Sequence, residues 1–210
     1  MTHRQLEETG IKREEMAQGH FLRVVRDHVL LPDGTTGTRE YVVHPGAVMI
    51  IPLLDDGRVV LERQFRYPVG QAMVEFPAGK LDAGEPSLQC AMRELTEETG
   101  YVAREWAHAG RLHPLVAYST EHIDVWFARG LTPGAQQLDP GEFLEVFDAT
   151  LEELMTWCRN GVITDAKTLI GTLWLQNTCA GTWPLEWLPA ESSEFPQPSG
   201  PFQPTLTKLE

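Results

Sequence analysis

Residues 93–101 read Arg-Glu-Leu-Thr-Glu-Glu-Thr-Gly-Tyr, and a stretch holding two glycines, Gly79-Lys80-Leu81-Asp82-Ala83-Gly84-Glu85, stands shortly before them. The spacing predicts a helix over 86–99: Pro86 suits its first turn, and Gly100 suits the position just beyond its end. Leu88, Ala91, Met92 and Leu95 recur at i, i+3, i+4 and i+7 and define a buried face. At about 100° per residue, Glu94 and Glu98 stand one turn apart and flank that face, while Glu97 lies nearer solvent. Like charges at this spacing cost a helix about 0.2–0.5 kcal/mol. Hard cations such as Mg²⁺ take carboxylate oxygens and would remove that penalty. Arg93, four residues before Glu97, is placed to pair with it and orient the cluster. An acidic run on a surface helix is ordinarily a solvated face. Here a glycine loop leads into the run and a glycine closes it, which sets it apart.

The elements around this helix must position it. Residues 21–31 and 38–44 are rich in β-formers, and Pro32-Asp33-Gly34 with Gly37 between them predicts a hairpin. The start of the chain is polar and reads as frayed. Residues 47–54 form a continuous apolar run, as in a buried strand, and Asp55-Asp56-Gly57 turns the chain into a second strand, 58–65. A short strand at 73–76 leads into the glycine loop. Strands follow near 104–112 and 121–128, then a Gly/Pro loop (130–141) long enough to act as a mobile flap, then a strand at 143–147. Helices are expected at about 150–160, capped by Thr150, and about 165–178, after Thr164. Residues 182–210 hold six prolines and no period. They read as an extended tail with Trp183, Trp187 and Leu188 as docking points. Strands and helices mix without regular βαβ alternation, which points to an α+β or α/β/α sandwich with an N-terminal β appendage.

Composition excludes several classes. The 210 residues carry 30 acidic and 17 basic side chains, a formal charge of −13. The excess lies beyond residue 66, with twenty acidic against eight basic residues, in the part that holds the helix. No basic stripe suited to nucleic acid is present. No apolar run reaches the ~18 residues of a membrane helix. No secretory h-region is evident at the N-terminus, and Cys90, Cys158 and Cys179 lack a CxxC pair, so a cytoplasmic protein with reduced thiols is expected. The seven histidines show no HxH or HExxH spacing, which argues against a zinc site. Ser119 lacks a G-x-S-x-G setting for nucleophilic chemistry.

The 23-residue pattern from Gly79 to Tyr101, Gly-x5-Glu-x7-Arg-Glu-Leu-x-Glu-Glu-x-Gly-Tyr, resembles the Nudix box at its defining positions. His44-Pro45-Gly46-Ala47-Val48, Arg63-Gln64-Phe65-Arg66-Tyr67-Pro68, Glu75-Phe76-Pro77-Ala78-Gly79-Lys80 and Thr164-Asp165-Ala166-Lys167-Thr168 extend the resemblance to the ADP-sugar (ADP-ribose) pyrophosphatase branch. It covers roughly residues 20–178. The resemblance implies a Nudix α/β/α sandwich with a mixed sheet and a small antiparallel β-domain. The divisions expected are 1–45 (β-segment, dimer-forming), 46–179 (Nudix hydrolase domain) and 180–210 (tail).

The implied reaction is hydrolysis of a nucleoside diphosphate sugar, ADP-ribose to AMP and ribose 5-phosphate, by a homodimer using two or three Mg²⁺ or Mn²⁺ ions. Divalent ions between carboxylates and a pyrophosphate neutralise phosphate oxygens and activate a water for in-line attack. Carried over by position, Glu94, Glu98 and the Ala78 carbonyl ligate metal, and Glu97 is shared. Glu85 supports the loop–helix geometry and Arg93 orients the carboxylates. Glu142 matches the carboxylate that ligates metal or activates water, with Glu145 as runner-up. Arg66 and Arg63 are candidates to meet the substrate's phosphates, and Glu121 is a candidate substrate-contacting carboxylate. Glu75 reads equally as a strand-edge charge and is left out of the catalytic set. One departure bears on the base: Val116-Ala117 stands where ADP-ribose-specific members often carry Pro-Gly. The alternatives are a pyrophosphatase for another nucleotide sugar such as GDP-mannose, or a Nudix-fold module that binds a nucleotide without cleaving it.

Overall fold

The computed structural model describes residues 6–193 and 195. They fall into two compact units. Among the described residues, the first comprises 6–46 with Leu115–His122, and the second comprises Ala47–Pro114 with 123–193 and 195.

In the first unit, β1 (Thr9–Gln18), β2 (Arg23–Leu30) and β3 (Thr36–Val43) form an antiparallel sheet in that order. The expected hairpin is the β2–β3 pair, with Arg23 opposite Val43 and Leu30 opposite Thr36. The frayed start expected for the chain is corrected here, because β1 is a ten-residue strand with two register shifts along β2. Its polar residues find partners across the sheet. Arg13 grips the buried Asp27 with two N–H groups at 2.8 Å, and the Tyr41 hydroxyl donates to the same carboxylate at 2.7 Å.

The second unit opens with β4 (Ala47–Pro52), β5 (Val59–Arg66), β6 (Gln71–Glu75) and β7 (Ala78–Lys80), followed by α1 (Ser87–Thr99). After these come β8 (Tyr101–Leu112), β9 (Ile123–Pro133), β10 (Leu144–Ala149), α2 (Leu151–Arg159), α3 (Ala166–Cys179) and a two-residue β11 (Leu188–Pro189). One sheet runs β11-β8-β9-β4-β7 and is mixed, since β4 and β9 are parallel while its other pairs are antiparallel. The other runs β10-β5-β6 and is antiparallel. Every residue of β4 is buried, because both faces of the mixed sheet are covered. Val48 and Ile50 pack with Cys90, Ala91 and Leu95 of α1. Met49 and Ile51 point the other way, toward Leu61, Phe76, Leu154 and Leu175. Each such side chain removed from water contributes about 1.5–3 kcal/mol. The result is the α+β sandwich expected, with α1 on one side and α2 and α3 on the other.

Local chemistry sets the helix ends. Gly100 sits at φ 74° and returns its N–H to the Thr96 carbonyl at 2.9 Å, closing α1. Pro86 is the cap of α1 and not its first helical residue, and the buried face is Ser87, Cys90, Ala91, Leu95, Glu98 and Thr99, with Leu88 and Met92 only half-buried. Thr150 caps α2 in a reciprocal box with Glu153. The cap of α3 is Asp165, one residue later than expected, and its carboxylate takes the Thr168 N–H at 2.9 Å. In the C-terminal segment, Leu188 pairs with Trp106, Trp187 packs on the core, and Phe195 is buried against the α1 side. Residues 194 and 196–210 of the expected tail lie outside the described residues.

Candidate active site

Arg93 is the hub of the α1 cluster. Its guanidinium donates to both oxygens of Glu85 (2.9 Å each), to Glu94 (2.8 Å), to Glu97 (3.0 Å) and to the Lys80 carbonyl (3.2 Å). Glu85 also takes the Asp82 N–H at 3.0 Å, so the loop before the helix is tied to the helix through one arginine. Hydrogen bonding to Arg93 holds the Glu85 carboxyl below its ordinary range. Gly79 lets this happen: a methyl there would stand 1.9 Å from the Glu94 carboxyl carbon. The Glu94 carboxylate therefore lies directly on the β7 backbone.

Glu98 faces inward and is 3% exposed. One of its oxygens accepts from the Ala78 N–H at 3.0 Å. Burial, then the charges of Glu62 and Glu94, push its carboxyl up to about 10. Burial also raises Glu94, with Arg93 opposing. The structure thus brings together Ala78, Glu94, Glu97, Glu98 and Arg93 where β7 meets α1.

The strand β5 supplies a second group of polar residues to the same unit. Glu62, Gln64 and Arg66 alternate with Arg63 and Phe65, so the two sets face opposite ways. Gln64 donates to Glu142 at 3.2 Å, and Glu142 in turn closes a turn with Asp139 through its backbone N–H at 2.9 Å. Glu142 precedes β10, and its charge acts on Glu62, Glu94 and Glu98. Glu145 lies in β10 opposite Arg63, pairs with it, and is exposed. Arg63 also lies over the Phe147 ring at 4.9 Å. Arg63 is therefore not gathered with the α1 carboxylates.

Arg66 is gathered on the other face but is engaged. It donates twice to the buried Glu75, at 2.7 and 2.9 Å, and Lys167 reaches the same carboxylate. Burial would raise Glu75, but these two cations outweigh it and hold the carboxyl low. Glu75 is thus no strand-edge charge, because it is 2% exposed and anchors β6 to α3. Glu121 lies in the 115–122 segment of the first unit, where its carboxylate is 3.9 Å from His44 Nε2.

The 130–141 segment differs from the flexible flap expected of it. Residues 130–133 belong to β9, the Gln137 N–H donates to the Glu97 carbonyl at 2.9 Å, and the Gln136 amide donates to the Glu98 carbonyl. Its middle is tied to the end of α1. The residue that the sequence reading missed is Glu62, fully buried, with neither carboxylate oxygen hydrogen-bonded. A charge ending the run Val59-Val60-Leu61 was its one sequence signal.

A Nudix domain profile matches residues 43–169, and a nucleoside diphosphate sugar hydrolase N-terminal domain profile matches residues 8–42. This chain belongs to the Nudix family. It is 36% identical to an ADP-ribose pyrophosphatase of Bacillus subtilis, over 81% of this chain and 94% of that protein. It is 38% identical to a methanol dehydrogenase activator of Bacillus methanolicus, over 81% and 93%. A crystal structure of an ADP compounds hydrolase superposes with TM-score 0.75 at 23% identity, covering 83% of this chain and 95% of that one, a likeness of fold. The chain is a Nudix hydrolase, and Nudix hydrolases generally use divalent metal ions. No described helix is long and apolar enough to cross a membrane.

The donor set suits such ions in chemistry: its side-chain donors are carboxylates, and burial first of all holds Glu94 and Glu98 above their ordinary range. Among the described residues no three acidic, histidine or cysteine side chains are already drawn together as a finished cage. Arg93 holds Glu94 and Glu97, and the Ala78 N–H holds Glu98.

Proposed function

We propose that this chain hydrolyses the pyrophosphate bond of a nucleoside diphosphate sugar, ADP-ribose before others, giving AMP and ribose 5-phosphate. The observation that carries the reading is the complete set of box carboxylates beside the β7 backbone, Glu85, Glu94 and Glu97 organised by one arginine and Glu98 held on the Ala78 N–H. A module that only bound a nucleotide would have no need of buried carboxylates that repel one another. The name and near full-length match of the B. subtilis relative support ADP-ribose as substrate.

In this reading Glu94, Glu98 and the Ala78 carbonyl hold Mg²⁺ or Mn²⁺, and Glu97 is shared. Bound there, two or three divalent ions would neutralise phosphate oxygens and acidify a water. The remaining work belongs to the chain. Arg93 fixes the carboxylates against their mutual repulsion. Glu142, held by Gln64 ahead of β10, takes the proton of the attacking water. Arg66, braced by Glu75, meets phosphate with a planar fork. The active species is a homodimer formed through the N-terminal sheet.

Mass spectrometry of products from a nucleotide-sugar panel with Mg²⁺ tests this. AMP and ribose 5-phosphate from ADP-ribose are expected. The panel carries GDP-mannose as well, because Val116-Ala117 departs from the Pro-Gly turn of ADP-ribose-specific members. ADP-ribose recovered bound but intact would refute hydrolysis.

A further inference from the structure

Glu62 is the buried ionisable group that this reading does not use. It is fully buried in β5, and both its carboxylate oxygens lack a hydrogen-bond donor. A carboxylate so placed is costly unless something compensates it. The residues before it, Val59, Val60 and Leu61, are all buried too, so an apolar side chain would have suited the strand. Its cross-strand neighbour on β6 is Glu75, a like charge. The nearby cations Arg66 and Lys167 give their hydrogen bonds to Glu75 and act on Glu62 through charge alone.

On β6 the neighbour of Glu62, Glu75, stands three residues before Ala78, whose N–H holds Glu98 of α1, so Glu62 lies beside the strand that leads into the Glu98 contact. Its charge is the strongest electrostatic influence on Glu98, and Glu142 acts on both. Two buried carboxylates therefore approach one region from different elements, one from α1 and one from β5. Glu98 keeps one oxygen on the Ala78 N–H, and Glu62 keeps neither engaged. A divalent cation is the compensating charge that fits oxygen donors converging from two sides.

We propose that Glu62 supplies a further oxygen donor, directly or through a bound water, to the divalent cation held at Glu98. The cation site is then closed from β5 as well as from α1. This rests on the reading that Glu98 holds a cation, and the experiment separates the two. Mn²⁺ binding to EDTA-stripped protein is measured by electron paramagnetic resonance for wild type, Glu62→Gln and Glu98→Gln, with melting in EDTA as the fold control. The expected result is that Glu98→Gln loses the tightest Mn²⁺ and Glu62→Gln weakens it at least ~10-fold, the scale of losing a supporting metal contact. Both variants should melt at or above wild type in EDTA, since each replaces a buried ionisable group that the metal-free site leaves uncompensated. Glu62→Leu, which fills the strand position with an apolar group, must show the same weakening and carries the test if the amide folds poorly. Wild-type Mn²⁺ affinity in Glu62→Gln or Glu62→Leu, with loss in Glu98→Gln, overturns the role of Glu62 alone. Wild-type affinity in all variants overturns the cation reading itself.

Discussion

Two glutamates three positions apart, Glu142 and Glu145, have different partners and so different capacities. Glu142 takes the amide of Gln64, on the β5 face that also carries Glu62 and Arg66, whereas Glu145 pairs with Arg63 in the open. Glu142→Gln is expected to lower kcat at least ~10²-fold, the scale of losing a general base. Glu145→Gln should change it little, since exposed pairs contribute about 0–1 kcal/mol. Steady-state kinetics at saturating Mg²⁺ and ADP-ribose ranks the two, and the reverse order would place the catalytic carboxylate on the wrong side of β10. At this scale the box was legible, because a pattern spanning 23 residues constrains side chains on one loop and one helix. Glu62 was not. Its meaning depends on which face of β5 is buried and on Arg66 and Lys167 both going to Glu75, and neither is written locally.

At the scale of elements, the approach of α1 to β7 rests on a missing side chain. Gly79→Ala would place a methyl against the Glu94 carboxylate, the mobile end of a side chain, so the fold should survive while Glu94 is displaced. Turnover should fall at least ~10-fold, as for loss of a supporting metal contact, with a melting temperature close to wild type. Unchanged turnover would show that the Glu94 position is immaterial.

The β8–β9 pair carries a separate ion pair. Arg111 grips the buried Asp124 at 2.7 and 3.0 Å. Burial would raise the Asp124 carboxyl, but His108 and Arg111 overcome this and hold it below its ordinary value of 3.8. A depressed carboxyl stabilises the fold above its unfolded value and loses that contribution as pH falls through its folded value. Wild type should therefore lose stability steeply below about pH 4. Asp124→Asn should be less stable at pH 7, by on the order of 3 kcal/mol, and flatter in acid. Thermal melts between these pH values decide it, and parallel curves would exclude Asp124. Most elements were legible from apolar runs and turn residues, as β4 with its Asp55-Asp56-Gly57 turn shows. β1 was not, because Lys12, Arg13, Glu14 and Glu15 read as solvated chain until their partners on β2 are known.

At the scale of the molecule, the first unit is a three-stranded sheet, near the lower limit of independent stability. It leaves Leu6, Met16, Phe21 and Leu22 substantially exposed. Such residues suit a subunit interface, and sedimentation at micromolar concentration is expected to show a dimer. A fully active monomer would refute it. In the proposed function, the α1 carboxylates make this Nudix fold a cation-dependent pyrophosphohydrolase. It is tested most directly by titrating Mg²⁺ into EDTA-stripped wild type and Glu98→Gln with ADP-ribose and following AMP release. Wild type should be silent without metal and regain turnover with it, while Glu98→Gln stays orders of magnitude slower at every concentration. Equal rates with and without Mg²⁺, or a fully active Glu98→Gln, would contradict the account.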